Sequence, residues 1–334
     1  MNDSHMRNGT VVGPPQSPPP FAWDTWYAGV GGRTISIEEV NDLLERIKSA
    51  QYPRFDGPVA TTRHEFASPD EAARMIKEKA TEFGADAVGI CLIEPSDVYR
   101  GRVIEETHAI AVGQRMLWRK FQVVPSLDSA IECMRVYHSL GETVIALAEY
   151  IRSLGWSCRV EHPLGDSDLL HIPIGLKAGF GELGRHGSII HPKLGPLFRM
   201  GSVITSIPMA IDHPIDAGIA AFCDRCRACR KYCPADAIPD ERSAAGKDHL
   251  GNDRYQIDTG RCFPYFAKHY YCSACLPVCA YNHKEWARDF EGFATKIFPE
   301  VVMEAPPPAF YQIDPEIRHP FTRKEEDSPG LIES

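Results

Sequence analysis

Most of the cysteines crowd into one region, between residues 223 and 279, at spacings that suit iron–sulfur clusters. The first four are separated by two, two and three residues in Cys223-Asp-Arg-Cys226-Arg-Ala-Cys229-Arg-Lys-Tyr-Cys233, and Pro234 follows them. A C-x2-C-x2-C loop brings three thiolates of a [4Fe–4S] cluster into one tight turn. The fourth thiolate must therefore come from another part of the chain.

The second half of the pattern is Cys262 followed by Cys272-Ser-Ala-Cys275-Leu-Pro-Val-Cys279. In two-cluster ferredoxins the cysteine of the Cys-Pro pair serves the neighbouring cluster. With this exchange, cluster one is predicted to be bound by Cys223, Cys226, Cys229 and Cys279. Cluster two is then bound by Cys233, Cys262, Cys272 and Cys275. The longer gap after Cys262, which holds several aromatic residues, departs from the simple ferredoxin spacing.

Zinc is the alternative reading, because structural zinc sites also use C-x2-C pairs. Four ligands complete such a site, whereas this pattern would leave cysteines in excess, so two clusters are favoured. The other cysteines, Cys91, Cys133 and Cys158, lie in or near apolar segments and are predicted to be small buried hydrophobic residues. Two adjacent clusters form an electron relay, which implies an acceptor to be reduced.

Basic residues alternate with the first cysteines: Arg225, Arg227, Arg230 and Lys231. They could raise the potential of cluster one or dock an acidic electron-donor protein such as a ferredoxin or flavodoxin. The alternative is a solvated charged loop.

The composition limits the classes of protein that fit. A chain of 334 residues with 43% hydrophobic side chains can bury one large core or two smaller ones. The net charge of −9, with both signs mixed along the chain, does not indicate a nucleic-acid surface. No window approaches the roughly 20 apolar residues of a membrane-spanning helix. The polar start has no signal-peptide pattern, and clustered thiols suit a reducing compartment, so we expect a cytoplasmic protein without a membrane partner.

Helical and strand patterns alternate ahead of the cysteines, which predicts an α/β (α+β) layer domain. Helices are predicted at 35–50, 68–84 and 127–154, and strands buried on both faces at 85–93, 108–112, 157–160 and 200–205. Changes in composition and in the predicted secondary structure divide the chain into four segments. These are an extension with one helix at 1–57, the α/β domain at 58–213, a small cluster domain at 214–295 and a tail at 296–334.

A glycine-rich segment precedes the cysteines, Ala178-Gly-Phe-Gly-Glu-Leu-Gly-Arg-His-Gly187. Its glycines match the letters G-x-G-x-x-G, but the preceding Ile172–Lys177 is a weak strand and no acidic residue follows at the required distance. A dinucleotide site is therefore not indicated. Dense glycines do let the backbone approach a bulky planar or phosphate-bearing cofactor closely.

An ordered succession of motifs resembles the corrinoid-dependent reductive dehalogenases. The motifs are Ala-Glu-Tyr-Ile-Arg-Ser-Leu-Gly (148–155), the glycine-rich segment (178–187), Gly-Pro-x-x-Arg (195–199), Pro-Ile-Asp-x-Gly (214–218) and the cysteine run. The resemblance covers about 60–290 and extends to the epoxyqueuosine reductases. Those enzymes usually have Trp where Glu182 stands and often carry a helical-repeat region for tRNA, so the dehalogenase branch is favoured.

The resemblance implies a nitroreductase-like α/β domain that binds base-off cobalamin, followed by a ferredoxin-like domain with two [4Fe–4S] clusters. It assigns cofactor binding to the glycine-rich segment, namely Gly179, Gly181, Gly184, Arg185, His186, Gly187 and Ser188. It implies a catalytic tyrosine, matched by Tyr137, whose phenolate is favoured by a basic partner, matched by Arg199. His162 or Asp166 falls where the family places a polar residue in the pocket.

The expected activity is the reduction of a small, halogenated organic substrate. Two alternatives stay open: a tRNA-modifying epoxyqueuosine reductase, and a non-catalytic electron carrier or corrinoid-handling protein.

Overall fold

The structure, a computed structural model, describes residues 37–165, 167–248 and 250–282, together with positions 22 and 25. Most of the predicted extension before residue 37, the tail at 296–334 and the candidate residue Asp166 lie outside these described residues. The predicted domain boundaries therefore stay predictions.

A four-stranded antiparallel sheet forms the centre of the α/β region, in the order β1-β2-β6-β3. Its strands are β1 (Ala87–Leu92), β2 (His108–Arg115), β3 (Cys158–Glu161) and β6 (Phe198–Thr205). Each lies at a predicted strand position. The middle of β2, with Ile110 fully buried, is covered on both faces, as the continuous apolar runs indicate.

Three long helices surround or flank this sheet: α1 (Glu38–Gln51), α2 (Pro69–Glu82) and α3 (Leu127–Ser153). The α2 helix begins where the sequence predicts, because the Ser68 side chain accepts the Glu71 N–H at 3.1 Å. Apolar side chains of α2 and α3 pack with the sheet in one core, in which Ile76, Val144 and Ile110 are fully buried. The mixed α/β architecture is therefore confirmed.

The prediction of a strand at 172–177 is wrong, because these residues form helix α4 (His171–Lys177). Its apolar side chains pack under the other face of the sheet, where Ile174 and Leu176 meet Ala111 and Ile204. The periodicity of a short apolar run does not distinguish a buried helix from a buried strand. Pro173 is tolerated because it occupies the first turn.

Two short hairpins and three helices complete the described chain. The hairpins pair β4 (Glu182–Leu183) with β5 (Ile189–Ile190), and β7 (Ser243–Lys247) with β8 (Asp253–Arg254). The helices are α5 (Ile219–Cys226), α6 (Ala228–Lys231) and α7 (Thr259–Lys268). None of the helices in the described residues has the length and apolar character needed to span a lipid bilayer.

Candidate iron–sulfur and reductive site

The four cysteines assigned to cluster one come together around one small cavity. Cys226 ends α5 and Cys229 lies in α6, and the left-handed backbone of Arg227 (φ 49°) turns the chain between them. Cys279 joins from the far end of the cysteine region, and all four thiols are buried and border the same cavity. This is the convergence that the spacing predicts for one [4Fe–4S] cluster.

The environment of these thiols disfavours free thiolates. Burial raises the pKa of Cys223 to about 11 and that of Cys226 to about 12. The pKa of Cys279 is raised well above its ordinary value by burial and further by nearby Cys223. Neighbouring thiolates in such a cavity need a cationic partner, and ligation to iron supplies one.

The four cysteines assigned to cluster two form a second group, which is more exposed. Burial raises the pKa of Cys272 to about 12, and the neighbouring Cys262 and Cys233 raise it further. Burial raises the pKa of Cys275 well above its ordinary value, and Cys229 of the first group and these three cysteines raise it further. It therefore lies between the two groups.

A site for a single metal ion is a different arrangement from a cluster. Among the described residues, no group of three or more His, Cys, Asp or Glu side chains is arranged to hold a metal ion. The cysteine region at 223–279 fits iron–sulfur binding through its spacing and through the two groups that its thiols form.

Glu182 and Arg185 attach the glycine-rich segment to the helix that carries the first cysteines. The Glu182 carboxylate accepts the N–H groups of Ala217, Ile219 and Ala220, at 2.6, 3.1 and 3.0 Å, at the start of α5. An acid at this end of a helix also suits the helix dipole. Glu182 therefore has a structural role at the start of this helix.

Arg185 is 1% exposed and donates to backbone carbonyls on the cysteine side. Its Nη2 lies 2.8 Å from the Cys223 oxygen and its Nη1 3.0 Å from the Pro239 oxygen. Its guanidinium also stacks over the Tyr255 ring at 4.0 Å. These bonds tie Arg185 to the backbone of the cysteine region.

The glycines of this segment are required by close backbone approaches. A Cβ at Gly181 would lie 2.0 Å from the Ile190 oxygen across the β4–β5 hairpin. Gly179 and Gly187 adopt φ of +77° and +78°, which side chains disfavour. Gly184 and Gly187 line a cavity of about 650 Å³ that also borders Arg242, Tyr255 and Ile257. The predicted cofactor segment thus borders a cavity large enough for part of a corrinoid.

His186 is buried beside the cavity of cluster one. Its Nδ1 accepts the Ser188 N–H at 3.2 Å, while its Nε2 is buried without a hydrogen-bond partner. Burial lowers the pKa of His186 to about 4. Ser188 therefore orients the ring through its backbone.

Tyr137 and Arg199 meet between α3 and the first residues of β6. The Arg199 guanidinium lies 5.2 Å from the centre of the Tyr137 ring. Burial raises the pKa of the Tyr137 phenol, and the attraction of Arg199 only partly opposes this. Burial lowers the pKa of Arg199, but Tyr137 and Cys133 outweigh it, so the pKa is raised and the guanidinium stays charged.

Cys133 completes this group and was not among the predicted site residues. Its sulfur accepts from Arg199 Nη2 at 3.2 Å, one helical turn before Tyr137 on α3. The i, i+4 spacing of Cys133 and Tyr137 on a predicted helix was a signal that sequence reasoning could have used. Cys275 of cluster two also acts electrostatically on Arg199, so this pair lies near the second cysteine group.

His162 lies in a different environment. It is fully buried, with its Nε2 2.8 Å from the Gln51 oxygen and its ring stacked on Phe55 at 5.3 Å. Its Nδ1 accepts the Leu164 N–H, and burial lowers its pKa to about 3. In the described structure it forms no hydrogen bond, ion pair or ring contact with Tyr137 or Arg199, so the structure does not bring this predicted residue to the pair.

Two of the arginines that alternate with the cysteines have acidic partners. Arg227 lies 3.4 Å from Glu241, and Arg230 lies 3.6 Å from Asp240 and also pairs with Asp236. Much of their charge is therefore balanced within the cysteine region itself.

Comparison with known proteins shows what this chain resembles. No profile of a known protein family matches it. Tetrachloroethene reductive dehalogenases of Desulfitobacterium hafniense and Dehalobacter restrictus are 26% and 27% identical over 289 residues, which is 70% of this chain and 52% of theirs. The epoxyqueuosine reductase of Escherichia coli is 25% identical over 180 residues, 48% of this chain and 43% of its own.

Solved structures agree with the sequence comparison. A reductive dehalogenase described in terms of B12-dependent dehalogenation has a TM-score of 0.67 at 25% identity, over 79% of this chain and 40% of its own. The catabolic reductive dehalogenase NpRdhA has a TM-score of 0.67 at 26% identity, over the same shares of the two chains.

The chain is therefore a homologue of the reductive dehalogenases, and the epoxyqueuosine reductases are more distant relatives. The resemblance seen in the sequence motifs is confirmed. The chain spans about half the length of the curated dehalogenases it matches.

Proposed function

We propose that this chain is a cobalamin- and iron–sulfur-dependent reductase of the reductive dehalogenase type. The observation that carries the proposal is the position of Arg199 over the ring of Tyr137, because Tyr137 packs against the same core as Cys272 and Cys275 of the second cysteine group. A proton-donor pair beside an electron relay is what reductive removal of a halogen requires. Homology over 70% of the chain supports the same activity.

Two [4Fe–4S] clusters are proposed for the two cysteine groups, and a corrinoid for the α/β region. The glycine-rich segment would hold part of the corrinoid, because Gly184 and Gly187 line a cavity of about 650 Å³. A solved relative is described as acting by B12-dependent dehalogenation.

When bound, the clusters would deliver single electrons and the corrinoid would supply the reducing power at the carbon–halogen bond. The overall reaction takes two electrons and one proton, breaks the carbon–halogen bond, forms a carbon–hydrogen bond and releases halide. Tyr137 holds the proton at its phenolic oxygen, and its raised pKa keeps it protonated in the resting site. Arg199 stays charged and stabilises the phenolate that forms when this proton leaves.

Both side chains are partly buried, which limits the access of bulk water and strengthens this electrostatic assistance. Buried Met116, Phe121 and Leu197 pack in the same core as Tyr137. The proposed substrate is a small halogenated organic molecule, and the proposed electron donor is a cytoplasmic ferredoxin or flavodoxin.

Anaerobic reconstitution with iron, sulfide and cobalamin tests the proposal. We expect about eight irons per chain, from two four-iron clusters, together with the EPR signal of bound cobalamin. Protein that binds iron but never cobalamin would overturn the proposal.

Turnover provides the second test, with a strong chemical reductant and a panel of halogenated phenols. The panel should include 3-bromo-4-hydroxybenzoic acid, with which NpRdhA was solved in complex. Tyr137→Phe should lower kcat by about 100-fold or more while keeping both cofactors, because general-acid assistance is worth that much. Tyr150→Phe, on the same helix beside Phe83 and Lys79, is the matched control and should keep its activity.

A further inference from the structure

His186 carries a buried N–H group with no partner among the described residues. Its Nδ1 accepts the Ser188 N–H at 3.2 Å, so the ring proton must sit on Nε2. That nitrogen is buried without a hydrogen-bond partner, and the residue is 8% exposed. A buried donor left unsatisfied costs about 1–3 kcal/mol, so it calls for an acceptor.

The cavity that His186 borders indicates where the acceptor would be. The same cavity is lined by the four cysteines of the first group, Cys223, Cys226, Cys229 and Cys279. Gly184 leaves room for the ring in this position, because a Cβ there would lie 2.9 Å from Cε1 and 3.1 Å from Nε2 of His186. Ser188 fixes the edge that carries Nδ1. The ring is thus held in the wall of the cavity that the four thiols line.

We propose that His186 donates its Nε2–H to a sulfur atom of cluster one and so sets the reduction potential of that cluster. This inference rests on the cluster part of the proposed function and not on the corrinoid. A cluster gains negative charge when it takes up an electron, so an N–H···S hydrogen bond stabilises the reduced form more than the oxidised form. His186 is a positioning and tuning residue in this role and touches no substrate.

The expected effect follows from removing one hydrogen bond to a charged group. In His186→Phe the equilibrium constant for one-electron reduction of cluster one should fall about tenfold, which corresponds to about 59 mV. His186→Gln keeps an N–H donor on a side chain of similar reach and should restore most of the potential. The second cluster should keep its potential in both variants.

The experiment is an EPR-monitored redox titration of anaerobically reconstituted protein with both clusters and without cobalamin. His108→Phe is the matched control, since His108 is a half-buried histidine on β2 whose ring bonds Thr107. It should leave both potentials unchanged. Unchanged potentials in His186→Phe at full iron content, or equal shifts in His186→Phe and His186→Gln, would overturn the proposal.

A second measurement needs no variant and covers the case in which His186→Phe fails to assemble its clusters. Wild-type protein labelled with 15N-histidine should show a nitrogen coupling to a reduced cluster by pulsed EPR, and its absence refutes the inference. A chain with clusters but no affinity for cobalamin would refute the reductase and leave this inference standing. A chain that never holds iron overturns both.

Discussion

Replacing Arg185 should detach the cysteine region from the glycine-rich segment. The guanidinium of Arg185 is nearly inaccessible and spans the two parts of the chain. It donates to four backbone carbonyls, those of Cys223, Asp224, Pro239 and Asp240. Arg185→Met keeps the bulk of the stem and removes every one of these bonds.

The loss in the free energy of unfolding depends on how well each of these carbonyls is shielded from water. Asp224 and Asp240 are exposed, so water can replace the lost bonds there, whereas Cys223 is buried and Pro239 half-buried. Two shielded carbonyls at about 1–3 kcal/mol each, with the lost stacking on Tyr255, give a loss of about 4 kcal/mol. Arg185→Lys keeps the charge but not the fork of donors and should lose about half as much.

Anaerobic urea unfolding and iron content measure the effect together. The iron content per chain should fall together with the free energy of unfolding, because the loop that carries Cys223 loses its support. Arg74→Met is the control, since Arg74 is 62% exposed and pairs with Glu78, and it should change stability by about 0.5 kcal/mol or less. If Arg185→Met stays within about 1 kcal/mol of the parent chain with full iron content, the proposed anchoring is wrong.

Three further predictions concern single residues. Cys279→Ser should reduce iron from about eight to about four per chain, since it removes a ligand of one cluster only, and loss of all iron would contradict the two-cluster assignment. Cys133→Ala should destabilise the chain by about 1–3 kcal/mol, because it removes the acceptor of Arg199 Nη2. Cys91 is a buried cysteine outside the site, and Cys91→Ala should leave the Tyr137-dependent activity intact. His162 has a folded pKa of about 3 against about 6.5 unfolded, so the unfolded chain binds protons first and stability falls as pH falls through this window. His162 contributes about 2 kcal/mol to the stability lost between pH 7 and pH 5 in urea unfolding, and His162→Gln should lose less by that amount; an equal pH dependence would contradict the assignment.

Local chemistry made most of the fold predictable. Helix α2 begins after Ser68 because serine caps it and Pro69 suits its first turn, and both are visible in the sequence. The strands were recognisable because burial on both faces leaves an unbroken apolar run. The same reasoning failed at His171–Lys177, since a short apolar run has the same composition in a helix as in a strand.

The candidate site was predictable only where its parts are close in sequence. The spacing of the cysteines in the loop at Cys223–Cys233 predicts an iron–sulfur cluster directly, and the two-cluster ferredoxin pattern adds Cys279 as the fourth ligand. By contrast, the pairing of Tyr137 with Arg199 joins distant segments, and it came from the resemblance to a family rather than from periodicity. Nothing in the sequence shows that Gly181 is required by a carbonyl of Ile190 across a hairpin.

The electrostatic contacts of the structure separate electron delivery from proton delivery. Cys275 packs against the core that contains the first cysteine group and also against the core on which Tyr137 lies, so the two groups and the tyrosine pair follow one another. His186 borders the first group, whereas Tyr137 lies at the other end of this sequence. A change at His186 should therefore alter the potential of a cluster and leave the proton donor intact. A change at Tyr137 should slow the chemical step while both cluster potentials stay as they were, and variants that mixed the two effects would show that the parts are not arranged in this order.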